Sequence, residues 1–210
     1  MTTSRTKLNA LVAVLLALIA MPAIAQMGFS DSFNFLKAVR ERDGATADRI
    51  LNGQNAAVLN TRDRATGEGA LHILVRGRDG SWLGYMLSKG LRPDIQSDDG
   101  STPLMFAAQI GWIDGAERLI RAGANVNTGN NRGETALILA VQRNDIAMVR
   151  LLIAQRADPN QTDSIAGYSA LDYARQDPRR AAVLQALQNA GTPARQRPMM
   201  GPPAPGQQQN

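Results

Sequence analysis

Asp99-Gly100-Ser101-Thr102-Pro103-Leu104-Met105-Phe106-Ala107-Ala108-Gln109-Ile110-Gly111-Trp112 is the stretch on which the reading of this chain turns. Asp99-Gly100 reads as a turn and Thr102 as the cap of a helix. Pro103 is then the first helical residue, where its missing N–H leaves no bond unmade. Leu104, Ala107 and Ala108 fall on one inward stripe, and Gly111 stops the helix. Residues 113–121 read as a second helix with Leu119 and Ile120 inward, closed by Gly123, and Ala124-Asn125-Val126-Asn127 leads out.

The opening phrase recurs. Gly67-Glu68-Gly69-Ala70-Leu71, Gly100-Ser101-Thr102-Pro103-Leu104, Gly133-Glu134-Thr135-Ala136-Leu137 and Gly167-Tyr168-Ser169-Ala170-Leu171 place their leucines 33, 33 and 34 residues apart. A period of this size marks a stack of small units, none of which buries its apolar face alone. The unit after Gly133 repeats the plan with Leu137 and Ala140, then Met148, Val149, Leu151 and Leu152, then Ala157-Asp158-Pro159-Asn160. An initial unit spans residues 33–59. Phe35, Leu36, Ala38 and Val39 mark its first helix, Asp43-Gly44 the corner, and Ile50 and Leu51 the second helix. It lacks the glycine-led opening, as expected of an end unit with one face in water. At the other end Arg179, Arg180, Gln185 and Gln188 mark an outer polar side.

These residues resemble the ankyrin repeat, with its Thr-Pro-Leu-His-x-Ala opening, Gly-His corner and Gly-Ala-Asp-x-Asn exit. The resemblance covers residues 33–191 and is closest over 99–160. Met105 and Ile138 depart from it, because the hallmark histidine survives only as His72. Gly69 stands where threonine is expected, Gly80 and Gly84 weaken a second helix, and one extra residue lies near Asp163. The resemblance implies an all-α ankyrin-repeat solenoid of about five stacked helix-turn-helix units over residues 26–191. The units divide near 31–63, 64–96, 97–129, 130–163 and 164–191.

It also implies that a partner is met by the turn tips and the solvent side of each first helix. Those positions are Glu68, Arg76 and Arg78, then Asp98, Asp99, Ser101, Gln109 and Ile110. The next units add Asn131, Arg132, Glu134, Gln142 and Arg143, and finally Tyr168 and Gln176. Trp112 joins the set, since tryptophan is enriched among residues that dominate binding energy; the alternative is that it covers the corner between two units. Trp82 reads as a core residue of the second unit's outer helix.

Composition bounds the rest. Arg5 and Lys7, the apolar run 8–20 and Ala23-Ile24-Ala25 read as a cleavable secretory signal over residues 1–25, with Gln26 first in the mature chain. The competing reading, a permanent anchor, needs about 20 apolar residues, and this run is shorter. The chain has no cysteine, which excludes disulfides, thiolate metal sites and a cysteine nucleophile. The net charge of +5 falls to +3 once Arg5 and Lys7 leave, too small a surplus for a nucleic-acid footprint. Residues 192–210, rich in Pro and Gln, read as a disordered tail.

No catalytic constellation stands out. His72 reads as the structural histidine of the repeat, bonded to backbone of the neighbouring turn. Asp98-Asp99 reads as a solvated acidic turn favourable to the following helix N-terminus. Phosphate-loop, nucleophile-elbow and zinc spacings are all missing. The expectation is therefore a monomeric, non-catalytic module without cofactor or metal that binds another protein in the bacterial periplasm. Similar exported proteins suggest support of a stress-defence enzyme, or immunity against a periplasmic toxin. An envelope-associated structural role for the tail is the third possibility.

Overall fold

The computed structural model describes residues 23–53 and 56–190. Apart from residues 23–25, the expected signal segment lies outside the described residues, as does the expected tail at 192–210.

Among the described residues ten α-helices follow one another in five antiparallel pairs: α1 (Ala23–Glu41) with α2 (Gly44–Asn52), α3 (Ala70–Arg76) with α4 (Gly80–Ser88), α5 (Pro103–Ile110) with α6 (Ile113–Arg121), α7 (Ala136–Gln142) with α8 (Ile146–Ala154), and α9 (Ala170–Gln176) with α10 (Ala181–Ala190). Short 3-10 turns, Ala56–Asn60 and Pro178–Arg180, complete the described elements. The described residues contain no β-strand. Arg62↔Gly69, Gly129↔Thr135 and Thr162↔Ser169 are isolated bridges that pinch the connecting hairpins.

Six of these helices start where a side chain satisfies an orphan N–H. Thr102 Oγ1 accepts from Met105 N at 3.3 Å, Thr135 Oγ1 from Ile138 N at 3.3 Å, and Ser169 Oγ from Asp172 N at 3.2 Å. The outer helices α2, α4 and α8 use aspartate instead. Asp43, Asp79 and Asp145 accept from Thr46, Trp82 and Met148 N, each at 3.0 Å. The corner before each of α2, α4, α6 and α8 carries one residue in the left-handed region: Arg42 (φ 59°), Arg78 (φ 51°), Gly111 (φ 65°) and Asn144 (φ 59°). The first corner is thus set by Arg42, and Asp43-Gly44 is the helix start and not the bend.

The helices stack like with like. The inner row α1, α3, α5, α7, α9 is in contact from one pair to the next, and so are α4, α6, α8 and α10 in the outer row. Between the rows lies one continuous apolar core containing Phe35, Leu71, Leu83, Leu104, Leu119, Leu137, Leu152 and Leu187. Ile120, Leu51 and Leu151 sit at its margin, only partly buried. Gly80 and Gly84 are filled from the next unit: a Cβ at Gly80 would lie 3.3 Å from Arg118 Nε, and one at Gly84 3.4 Å from Arg118 Nη1.

The hairpin glycines 67, 100, 133 and 167 all have positive φ. At Gly100 the demand is twofold, because a Cβ would lie 2.7 Å from Asn131 N and 2.5 Å from Asn131 Oδ1. Gly100→Ala is expected to destabilise the protein by about 2 kcal/mol, combining left-handed strain with the clash against the next tip. A depressed thermal midpoint by circular dichroism checks this, with exposed Gly90→Ala, which has φ of 88° but open space around it, reporting the backbone strain alone.

Candidate functional site

Counting in steps of 33, 33 and 34 residues from α3 gives two rows along the inner helices. One row is Ile73, Phe106, Leu139 and Tyr173; the other is Arg76, Gln109, Gln142 and Gln176. The hairpin tips rise beside them and turn the inner face into a groove. Arg40, Ile73 and Arg76 line it together with the tip residues Asp63, Thr66 and Glu68. Phe106 is the midpoint of its floor, edge-on to His72 with ring centres 5.0 Å apart and with the Arg76 guanidinium 5.2 Å above its face.

The groove wall is held by bonds between successive tips. Asp98 N donates to Thr66 O at 3.2 Å, Asn131 N to Asp99 O at 3.0 Å, and Ser164 N to Arg132 O at 2.8 Å. Asn131 adds its side-chain amide to Asp98 O at 3.0 Å. The ends of α5 and α7 are held by cations from adjacent units. The Arg78 guanidinium donates to the Ile110 carbonyl, Arg143 to Gln109 O at 3.1 Å, and Arg180 to Gln142 O at 3.2 Å. Those carbonyls are orphans carrying the negative end of the helix dipole, so an arginine both completes and neutralises them.

His72 is fully buried. Its Nδ1 accepts from Gly69 N at 3.1 Å, and its Nε2 lies 2.9 Å from Ser101 O. Only the neutral tautomer with hydrogen on Nε2 satisfies both contacts. Burial pushes its pKa down, outweighing the Ser101 carbonyl and the nearby Asp99 charge. At the last hairpin, Asp163 Oδ1 collects the N–H groups of Ile165, Ala166 and Gly167 at 3.0, 2.7 and 3.1 Å, and Oδ2 accepts the Tyr173 hydroxyl at 2.5 Å. This is where the 34-residue spacing is absorbed. Burial alone would raise the Asp163 carboxyl, but those donors hold it below its usual value, and the same bond pushes Tyr173 up to about 12.

The positions expected to meet a partner separate into three groups. Asp98, Asp99, Asn131, Arg132, Gln109, Tyr168 and Gln176 are exposed, and Ile110 and Gln142 partly so. Glu68, Arg76, Arg78, Glu134 and Arg143 are on the groove but already engaged. Arg76 pairs with Glu68, Arg132 holds Glu134 at 2.6 Å, and Arg78 and Arg143 cap carbonyls. Asp99 also turns inward, accepting from Ser97 Oγ at 2.6 Å and Ser101 N at 3.1 Å.

Two positions are corrected. Ser101 is 0% exposed, folded under its hairpin, and Trp112 is only 9% exposed. The indole lies over Gly115, where an added Cβ would come within 2.1 Å of the ring, so Trp112 covers the corner and is not offered to a partner. Trp82 is half-buried, edge-on to Tyr85 at 5.7 Å. The floor row Ile73, Phe106, Leu139 and Tyr173 was missed, although the repeat period points to it two residues after each hallmark leucine. Ile165, 75% exposed at the last tip, and Phe33, 65% exposed on α1, were missed as well. Among the described residues no cluster of three or more His, Asp or Glu side chains is placed to hold a metal ion, and no helix is long and apolar enough to cross a membrane.

Stacked helix pairs with a hairpin-walled groove define a repeat protein of the interaction type. The chain belongs to the ankyrin-repeat family: the family model described as ankyrin repeats (3 copies) matches residues 71–163 and again 113–192. It is 34% identical over 143 residues to an ankyrin repeat-containing protein of Treponema pallidum (strain Nichols), covering 68% of this chain and 47% of the relative. It is 37% identical over 110 residues to human ankyrin repeat and SOCS box protein 6, covering 52% of this chain and 26% of that protein. Zebrafish (Danio rerio) inversin matches at 32% over 88 residues, 42% of this chain and 9% of the relative. The chain thus spans less than half the length of each. Ankyrin repeats are protein–protein interaction modules, and the family is typically non-catalytic.

His72 is the chain's one histidine, so it dominates side-chain proton uptake on unfolding between pH 7 and 5. Its folded pKa lies below its unfolded value, so its contribution is present above about 6.5 and is lost as pH falls through the folded pKa. The unfolding free energy is expected to drop on acidification below about 6.5 with a limiting slope of about 1.4 kcal/mol per pH unit, and the thermal midpoint to fall with it. His72→Gln is expected to be less stable at pH 7 yet nearly flat over the same range. Parallel melting curves at half-unit steps check it.

Proposed function

We propose that this protein is a non-catalytic binding module of the bacterial cell envelope, exported to the periplasm, that holds one partner protein in the groove of its ankyrin stack. The observation that carries the reading is the continuity of the groove. Tip-to-tip backbone bonds and arginine-capped helix ends recur from unit to unit, so the surface is preorganised before any partner arrives. Little ordering entropy then opposes association. The exposed residues mix amides, both charge signs and aromatic rings, which suits a protein surface better than a polyanion. Arg5, Lys7, the apolar run 8–20 and Ala23-Ile24-Ala25 support export.

The partner class proposed is a folded enzyme of the same compartment, with stress defence as its setting. A toxin recovered in its place would make the chain an immunity protein.

Bulky residues at exposed groove positions test the surface without touching the core. Gln109→Trp with Gln176→Trp is expected to lower capture of the partner from a periplasmic extract by more than tenfold. Arg150→Trp, on the exposed side of α8, is expected to leave it unchanged. Quantitative mass spectrometry of the captured material is the measurement. Equal capture by all three proteins removes the groove from consideration, and a chain retained in the cytoplasm on fractionation removes the location.

A further inference from the structure

Among the described residues no hairpin precedes the first unit, whose inner helix α1 begins at Ala23. A cleft of about 580 Å³ lies between α1 and the first hairpin. Phe33, Leu36 and Ala65 supply its apolar walls, and Arg40, Arg62 and Arg64 its charged rim. Phe33, Leu36 and Arg40 follow one another at helical spacing on the same face of α1. The hydroxyl of Thr61 donates to Ser32 Oγ at 3.0 Å and ties the two walls together.

We propose that this cleft is the anchoring subsite of the groove, and that it takes an acidic segment of the partner carrying one large apolar side chain. The proposal rests on the groove being the partner-binding surface. Its volume falls within the roughly 300–1,000 Å³ of sites that enclose a ligand group. Phe33 is 65% exposed in a concave setting and not on a flat surface, where a lone apolar residue would mean nothing. Charge selects the rest of the occupant. Arg40, Arg62 and Arg64 all line the cleft, and the one carboxylate among its lining residues, Asp63, is taken up by Arg40 at 2.6 Å and by Ala65 N at 2.9 Å. Arg62 donates to the Gln96 carbonyl at 3.0 Å, a contact that leaves its charge uncancelled.

The same count argues against the chain filling its own cleft. Residues 192–210 contain two arginines and no acid, and the whole chain carries +5. A polyanion would use the rim but leave the apolar walls uncovered.

The test is selection of a random dodecapeptide display library on the immobilised protein. The expected winners pair aspartate or glutamate with tryptophan, phenylalanine or leucine. Resynthesised, they are expected to lose at least about tenfold in affinity to Phe33→Ser and to Arg62→Glu with Arg64→Glu. They should weaken as salt rises and bind Arg150→Trp as well as the parent. Helical circular dichroism confirms folding, and the arginine pair keeps the test decisive should Phe33→Ser melt. Basic winners, winners without a large apolar residue, no winner at all, or heparin binding that competes and is indifferent to Phe33→Ser would each overturn the proposal. Partner capture that survives Phe33→Ser but is lost in Gln109→Trp with Gln176→Trp removes this subsite and leaves the groove assignment standing.

Discussion

Four of the five inner helices, α3, α5, α7 and α9, are only seven or eight residues long, and at the ends of α5 and α7 carbonyls are left for a group outside the unit to complete. An adjacent unit supplies the partner. Arg78, Arg143 and Arg180 each reach an inner-helix carbonyl of an adjacent pair, at Ile110, Gln109 and Gln142. A helix of seven or eight residues in isolation loses more to nucleation than its few hydrogen bonds return. Here the loss is offset only because burial and helix-end satisfaction come from across the junction. The stack therefore behaves as a row of mutually dependent elements, in which stability is a sum of unit and neighbour terms.

That dependence shapes the surface. The same junctions that complete the helices align the tips, through the bonds from Asp98, Asn131 and Ser164 to the tip before each. Buried polar groups are satisfied as part of the alignment. His72 joins the second unit to the third by way of the Ser101 carbonyl, and within the third and fourth hairpins Asp99 and Glu134 accept from Ser101 and Asn130. Surface ion pairs along the groove, such as Arg76 with Glu68, contribute about 0–1 kcal/mol each and serve mainly to fix side-chain direction.

Much of this was legible in the residues themselves. Thr102, Pro103 and Gly111 announced the limits of α5, and the leucine spacing announced the stack, because capping and periodicity are local or nearly local demands. Legibility failed where one residue fills space left by another. Trp112 reads as an exposed aromatic at a corner until Gly115, three residues on, is seen to leave room for the indole. Arg118 fills the gap of Gly80 and Gly84 from a different unit, a pairing no spacing discloses. Ser101 and Asp99 look alike on a turn tip, yet one is sealed beneath the hairpin and the other braces it. A period tells which positions are equivalent; it does not tell which side chain has been spent on a neighbour.

The groove is also chemically uneven along its length. Moving from the first unit to the fifth, the equivalent inner-helix position changes from Arg40 and Arg76 to Gln109, Gln142 and Gln176. Arg76 lies over the Phe106 ring, so the last cation of the series stands where the aromatic floor begins. Beyond it the surface turns to amides and, at the far tip, to Ile165 and the edge-to-face pair of Tyr168 and Tyr173. A partner of uniform charge would match one half and mismatch the other. Because like-charge contacts are costly and complementary ones steer encounter, such a gradient fixes the direction in which a partner lies along the stack.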